Sequence, residues 1–122
     1  MSTVTAIRAV NHASPVYQHV VSDARKALTL SEIADVTGVR LRSVQNWVAG
    51  TTRPEGANRD RLLELQYVIE QLGDVYDAEG IEIWMHRPQR LLSHRRPLDC
   101  LKAGQFEAVL QVVDHLAGGP RR

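Results

Sequence analysis

Residues 28–54 read LTLSEIADVTGVRLRSVQNWVAGTTRP, and this stretch decides the fold. Thr29 and Glu32 have the T-x-x-E spacing of a capping box, which predicts a helix starting just after Thr29. Leu30, Ile33, Ala34 and Val36 give that helix an apolar face, and Gly38 ends it. A second periodic run follows, with Leu41, Val44, Trp47 and Val48 on one face and Arg42, Ser43, Gln45 and Asn46 pointing elsewhere. Gly50 closes it, and Arg53-Pro54 forbids its continuation. Two short helices around a glycine, the second carrying polar side chains outward, are the plan of a DNA-reading helix-turn-helix.

The spacing of Ala34, Gly38, Val39, Val44, Trp47, Gly50 and Pro54 resembles the Xre/Cro-type helix-turn-helix, LAxxxGVSxxxIxxWExGxxxP. Two positions depart from that pattern. Arg40 stands where a capping Ser or Thr is usual, which weakens the helix start by about 1 kcal/mol. Val48 stands where a Glu usually follows the Trp.

Ser14-Pro15 opens an earlier helix, with Val16, Val20, Val21, Ala24 and Leu28 at helical spacing. Residues 1–14 read as a flexible polar arm. Beyond Pro54, Asn58 is a fair cap for the longest helix, whose stripe is Leu62, Leu65, Ile69, Leu72 and Tyr76. From Gly80 the texture changes to apolar bursts broken by Pro88, Pro97 and Gly104. Ile81, Ile83, Trp84 and Met85 predict a brief helix. Arg90-Leu91-Leu92 gives a turn, Pro97 opens a helix through Leu101, and Phe106, Val109, Leu110, Val113 and Leu116 face a last helix. No stretch alternates with β periodicity, so the expected class is all-α. The expected division is an arm at 1–14, a DNA-binding helix-turn-helix domain at 15–64, a helical unit at 65–118 and a flexible tail at 119–122.

Charge is distributed in three blocks. Residues 1–61 hold eight Lys/Arg against five Asp/Glu, residues 62–86 hold six acids and no base, and residues 87–122 hold seven bases against three acids. A net charge of +1 hides this asymmetry, which predicts different neighbours for different faces. One cysteine, Cys100, rules out an internal disulfide and fits a reducing cytoplasm. No apolar stretch approaches a membrane span, and no signal peptide core opens the chain. His12, His19, His86, His94 and His115 lack zinc-site spacing, so no metal and no cofactor is expected. There is no Gly-rich phosphate loop, no G-x-S-x-G and no carboxylate pair spaced for acid–base work. Asp74, Asp77, Glu79 and Glu82 are explained by a solvated helix face, and an enzyme is not expected.

The second half carries a further resemblance. W-M-x-x-P-x-x-L-L, then R-R-P-L-D-x-L, then G-x-x-x-x-V is similar to the C-terminal toxin-binding domain of Xre/MbcA/ParS-like antitoxins. The matching residues are Trp84, Pro88, Leu91, Leu92, Arg96, Pro97, Leu98, Asp99, Leu101, Gly104 and Val109. The resemblance implies an antitoxin whose helical domain covers the active-site entrance of an NAD⁺-degrading RES-domain toxin, while its DNA-binding half represses the shared operon. The other reading is a stand-alone Xre-type regulator whose second half dimerises or binds a ligand.

Both readings place operator contacts on Arg40, Leu41, Arg42, Ser43, Gln45, Asn46, Arg53 and Arg59, with at least a dimer needed to read two half-sites. The toxin-binding residues expected under the first are Trp84, Met85, Arg90, Leu91, Leu92, Arg95, Arg96, Asp99, Lys102, Arg121 and Arg122. The apolar ones are expected to form a patch rimmed by Arg90, Arg95, Arg96 and Lys102, while Arg121-Arg122 would either reach into the partner's active-site cleft or stay a disordered tail. Several have a plainer alternative: Trp84, like Trp47, as a core anchor, Asp99 at its own helix N-terminus, Arg95 and Arg96 as solvated surface.

Overall fold

The computed structural model describes residues 15–118, in seven α-helices and one 3₁₀ turn. The expected arm at 1–14 and tail at 119–122 lie outside the described residues. The helices are α1 (Pro15–Ala24), α2 (Leu30–Thr37), α3 (Leu41–Ala49), α4 (Gly56–Leu72), α5 (Ala78–Met85), α6 (Pro97–Lys102) and α7 (Phe106–Leu116). The 3₁₀ turn, Arg90–Leu92, lies between α5 and α6. The described residues hold no strand, only an isolated antiparallel bridge between Gln89 and Arg95. The protein is all-α.

Local chemistry accounts for most boundaries. The Thr29 hydroxyl accepts from the Glu32 N–H at 3.1 Å, and the Thr29 N–H donates to the Glu32 carboxylate at 2.9 Å, completing the capping box of α2. Gly38 closes α2 by donating its N–H to the Ala34 carbonyl at 2.9 Å. Arg40 opens α3 with no side-chain cap, as its sequence position predicts. Gly50 ends α3 at φ +78°, and a Cβ there would sit 2.7 Å from Nε2 of Gln18. That amide reaches across from α1 to donate to the Val48 carbonyl at 3.1 Å. The left-handed backbone therefore favours glycine at 50, whereas the Gln18 amide is the end of a flexible side chain that can give way.

Three boundaries differ from the sequence reading. The long helix starts at Gly56, with Glu55 as N-cap, rather than after Asn58. Gly56 takes φ +56°, which lets the chain swing from the buried Pro54 straight into the helix without a side-chain cap. The helix ends at Leu72, so Tyr76 lies beyond it, in a turn whose N–H donates to the Leu72 carbonyl at 2.8 Å. And α5 starts earlier than its apolar residues predict, because the Asp77 carboxylate caps it by accepting from the Gly80 N–H at 2.9 Å.

Helix α4 is the axis of the core. Leu62, Leu65, Val68 and Leu72 on it are fully buried, and it packs on α1, α2 and α7. Helix α2 in turn packs on α6. The boundary expected at 64/65 falls inside α4, and the buried side chains of both halves form one continuous apolar cluster. Arg61 adds a polar link, its guanidinium donating to the Val36 carbonyl at the end of α2 (3.4 Å) and packing over Gly104 between α6 and α7.

Candidate functional site

Two exposed basic surfaces stand out, one on each half of the sequence. The first is the N-terminal part of α3. Val44 and Trp47 turn inward and are buried, which turns Arg42 and Gln45 to solvent. Arg40 and Leu41 are also exposed, so Leu41 does not join the buried face with Val44 and Trp47. Ser43 and Asn46 are half-buried on the flanks. Arg53 and Arg59 are exposed nearby in sequence, Arg59 lying 3.8 Å from the Asp60 carboxylate.

The second surface is the segment from α5 to α6. Gln89 organises it: its N–H donates to the Arg95 carbonyl, and its carbonyl accepts from the N–H groups of Leu92 and His94, at 2.9–3.0 Å. Its side-chain amide donates to the carbonyls of Trp84 (3.2 Å) and Arg87 (3.1 Å). The closed loop forces Ser93 (φ 58°) and His94 (φ 65°) into consecutive left-handed conformations without glycine. Such backbone costs about 1–3 kcal/mol per residue and persists only where its surroundings hold it. Here the anchors are those hydrogen bonds and the buried Leu92. The result is that Leu91 is 62% exposed, with Arg90 next to it in sequence and Arg95 four residues on. A shallow groove lined by Leu91, Ala108, Gln111, Val112 and His115 adjoins it.

The structure corrects part of the expected toxin-binding set. Trp84, Met85 and Leu92 are core residues, at 5%, 0% and 4% exposure, and offer no surface to a partner in this conformation. The Trp84 indole N–H has no acceptor among the described residues. Helical spacing explains the placement: Ile81, Trp84 and Met85 share the inward face of α5, and Ile83 is left outside at 47% exposure. Arg96 and Asp99 form a two-armed ion pair at 2.8 and 2.9 Å, which holds the Asp99 carboxyl below its usual range. Lys102 pairs with Asp35 of α2 at 3.6 Å. Arg121 and Arg122 lie outside the described residues. Of the expected set, Arg90, Leu91 and Arg95 are exposed and take part in no ion pair among the described residues, although the Arg95 Nε donates to the Leu92 carbonyl at 3.4 Å.

A contact not read from sequence joins the two halves. His86, at the end of α5, places Nε2 2.9 Å from the Glu32 carboxylate in the first turn of α2, and its Nδ1 lies 2.8 Å from the Glu82 carbonyl. Partial burial pushes His86 down, but the Glu82 carbonyl and the Glu32 carboxylate outweigh it and raise its pKa above 6.5, against an opposing push from Arg96. Burial pushes Glu32 up, yet its hydrogen bonds from Thr29 and His86 outweigh that and lower its pKa below 4.5.

The raised His86 pKa gives stability that is complete below pH 6.5 and lost as pH rises through the folded value. The lowered Glu32 pKa gives stability present above pH 4.5 and lost as pH falls. The pair therefore contributes most between about pH 4.5 and 6.5. Thermal melts should show the native protein losing stability from pH 6 to pH 8 by more than His86→Gln does. Equal losses in the two proteins would dismiss the pair as a stabilising contact.

Cys100 is buried, and no cluster of three or more His, Cys, Asp or Glu among the described residues could hold a metal. No helix among them is long and apolar enough to cross a membrane.

Residues 71–119, the part carrying the α5–α6 loop, match the antitoxin Xre/MbcA/ParS C-terminal toxin-binding domain. This defines the class as that of an antitoxin. The chain is 39% identical over 95 residues to the mycobacterial cidal antitoxin MbcA of Mycobacterium tuberculosis and of Mycobacterium bovis, covering 78% of this chain and 84% of MbcA. It also superposes on a chain of the crystal structure of the M. tuberculosis MbcT–MbcA toxin–antitoxin complex. The TM-score is 0.73 at 37% identity, over 89% of this chain and 100% of that one. The chain belongs to the Xre/MbcA/ParS antitoxin family, and is an antitoxin rather than an enzyme.

Proposed function

We propose that this antitoxin neutralises a RES-domain, NAD⁺-degrading toxin by seating its α5–α6 loop over the toxin's active-site entrance, and that α2–α3 acts as a helix-turn-helix that represses the operon in the cytoplasm. The observation that carries the first part is the backbone-strained loop that presents Leu91 between Arg90 and Arg95, within the region that matches a toxin-binding domain. An exposed leucine flanked by cations suits a partner surface with an apolar socket and an acidic rim. The leucine supplies affinity on desolvation, and the arginines speed encounter. The relative MbcA is described in a complex with MbcT, which supports a protein partner of the same kind.

For DNA, the supporting feature is the exposed N-terminal turn of α3. Arg42 and Gln45 face outward at the position from which such helices reach base edges, with Arg40 and Arg53 available to phosphates. One such helix binds weakly, so operator binding calls for two copies reading half-sites roughly 34 Å apart.

Co-expression with the toxin separates the two activities. Arg42→Ala with Asn46→Ala should weaken operator binding by about 1–3 kcal/mol for each base-reading side chain removed. The same variant, supplied from an unregulated promoter, should rescue cells from the toxin as well as the native chain does. Rescue that disappears with Arg42 and Asn46 would mean protection by repression alone and would reject the loop as the neutralising surface.

A further inference from the structure

The acidic middle of the chain borders a cavity that neither basic surface uses. It lies where the end of α1, the end of α4 and the start of α5 meet, and holds about 260 Å³. Ala27 and Ile81, both buried, and half-buried Ile69 give it an apolar lining. Tyr76 supplies an aromatic wall, and Gly80 makes room for it: a Cβ at 80 would sit 2.8 Å from the Tyr76 Cβ. That contact is with the root of the side chain, so no change of rotamer relieves it.

The polar part of the lining is mainly acidic. Asp23 and Glu70 border the cavity, and Lys26 is the one base among the described residues that do. The Lys26 ammonium lies 3.3 Å from Asp23 with 64% of its side chain exposed, a loose surface pair. Glu70 takes part in no ion pair among the described residues. Helices α1 and α4 both end here, which brings the negative ends of two helix dipoles to one place. Helix α5 brings its positive end, but the Asp77 carboxylate caps it and Glu79 follows in its first turn. The charges favour a cation at the mouth, and the lining favours an apolar body attached to it.

We propose that this cavity binds a small organic ammonium, a primary amine carrying one aromatic ring. The ring packs against Tyr76, Ile69 and Ile81, and the ammonium meets the Glu70 carboxylate. Drug-sized ligands occupy roughly 300–1,000 Å³, and this cavity is just smaller, so one ring on a short chain suits it. A carboxylate-bearing ligand of the same shape is repelled by Glu70 and Asp23. Occupancy ties α1, α4 and α5 together and adds stability that grows with the amine concentration.

The full chain, labelled with ¹⁵N, is titrated with 2-phenylethylammonium while its amide signals are followed. Saturable shifts should centre on residues 23–27, 69–73 and 76–81. The alcohol 2-phenylethanol, which keeps the ring and loses the charge, should bind about fivefold more weakly, and 3-phenylpropionate more weakly still. Glu70→Gln, at an exposed position outside the core, should bring the amine down to the affinity of the alcohol. Ala78→Leu, exposed at the start of α5 and facing the cavity, should fill it and abolish binding of all three, with an unaltered circular dichroism spectrum. Absence of saturable shifts at these residues would overturn the proposal. So would equal affinity for the amine and the alcohol, or a preference for the amine that survives Glu70→Gln. Toxin and DNA take no part in the titration, so its failure leaves both of those readings untouched.

Discussion

Leu65→Ala is expected to lower the unfolding free energy by about 2–5 kcal/mol, and to do so at both ends of the chain at once. The Leu65 side chain is fully buried and lies beside Val36 of α2, Leu101 of α6 and Phe106 of α7. Removing it opens a cavity in the region where the two halves of the sequence meet. Against a total of about 5–15 kcal/mol for an ordinary domain, that is a large fraction. The two tryptophans provide independent reporters, Trp47 on α3 and Trp84 on α5, both buried. Denaturant curves of Trp47→Phe and Trp84→Phe backgrounds should coincide and shift together when Leu65 is truncated. A shift confined to one reporter would mean that the halves fold independently. The same reasoning predicts that cutting the chain at 64/65 exposes the α4 stripe, so neutralisation is best assayed in the full chain.

The second large effect is expected at the α5–α6 loop. Leu91→Asp combined with Arg90→Glu and Arg95→Glu should weaken toxin binding by at least 2 kcal/mol, roughly 30-fold or more. It removes an apolar anchor and reverses its flanking charges. The three side chains lie outside the core, and the one described hydrogen bond lost is that from the Arg95 Nε to the Leu92 carbonyl at 3.4 Å, so the loss of stability should stay near about 1 kcal/mol. Arg90→Glu and Arg95→Glu without the leucine change should act mainly on the association rate and grow weaker with added salt. Titration calorimetry and stopped-flow binding separate these outcomes. Unchanged affinity in the triple variant would remove the loop from the interface.

Legible in the sequence is chemistry that acts over a few residues. The Thr29–Glu32 capping box, the stop at Gly38, the uncapped Arg40 and the start at Pro97 are all short-range, and the structure has each of them. The start of α4 escapes a reading of caps because Gly56 reaches the helix through backbone freedom rather than a side chain. The start of α5 escapes it because Asp77, one of several acids that suit a solvated face, is in fact a cap.

The larger difference concerns Trp84, Met85 and Leu92. Apolar residues in short, Pro-broken helices look like surplus for a partner. Periodicity marks an apolar face without saying what covers it, and here the core covers it. The spacing of Ile81, Trp84 and Met85 already implies that Ile83 is left outside. The Glu32–His86 contact spans 54 residues, and no local pattern carries that information. The charge blocks are visible from composition, but only the loop geometry separates Arg90 and Arg95 from Arg96, which Asp99 engages.

The most direct measurement of the central claim is NAD⁺ hydrolysis by the purified toxin proposed as the RES-domain partner, titrated with the intact antitoxin at fixed substrate. Occlusion of the active-site entrance predicts activity falling linearly to zero at stoichiometric antitoxin, with the Leu91, Arg90 and Arg95 triple variant leaving the enzyme active at the same dose. An enzyme that keeps its full rate while saturated with bound antitoxin would contradict the account.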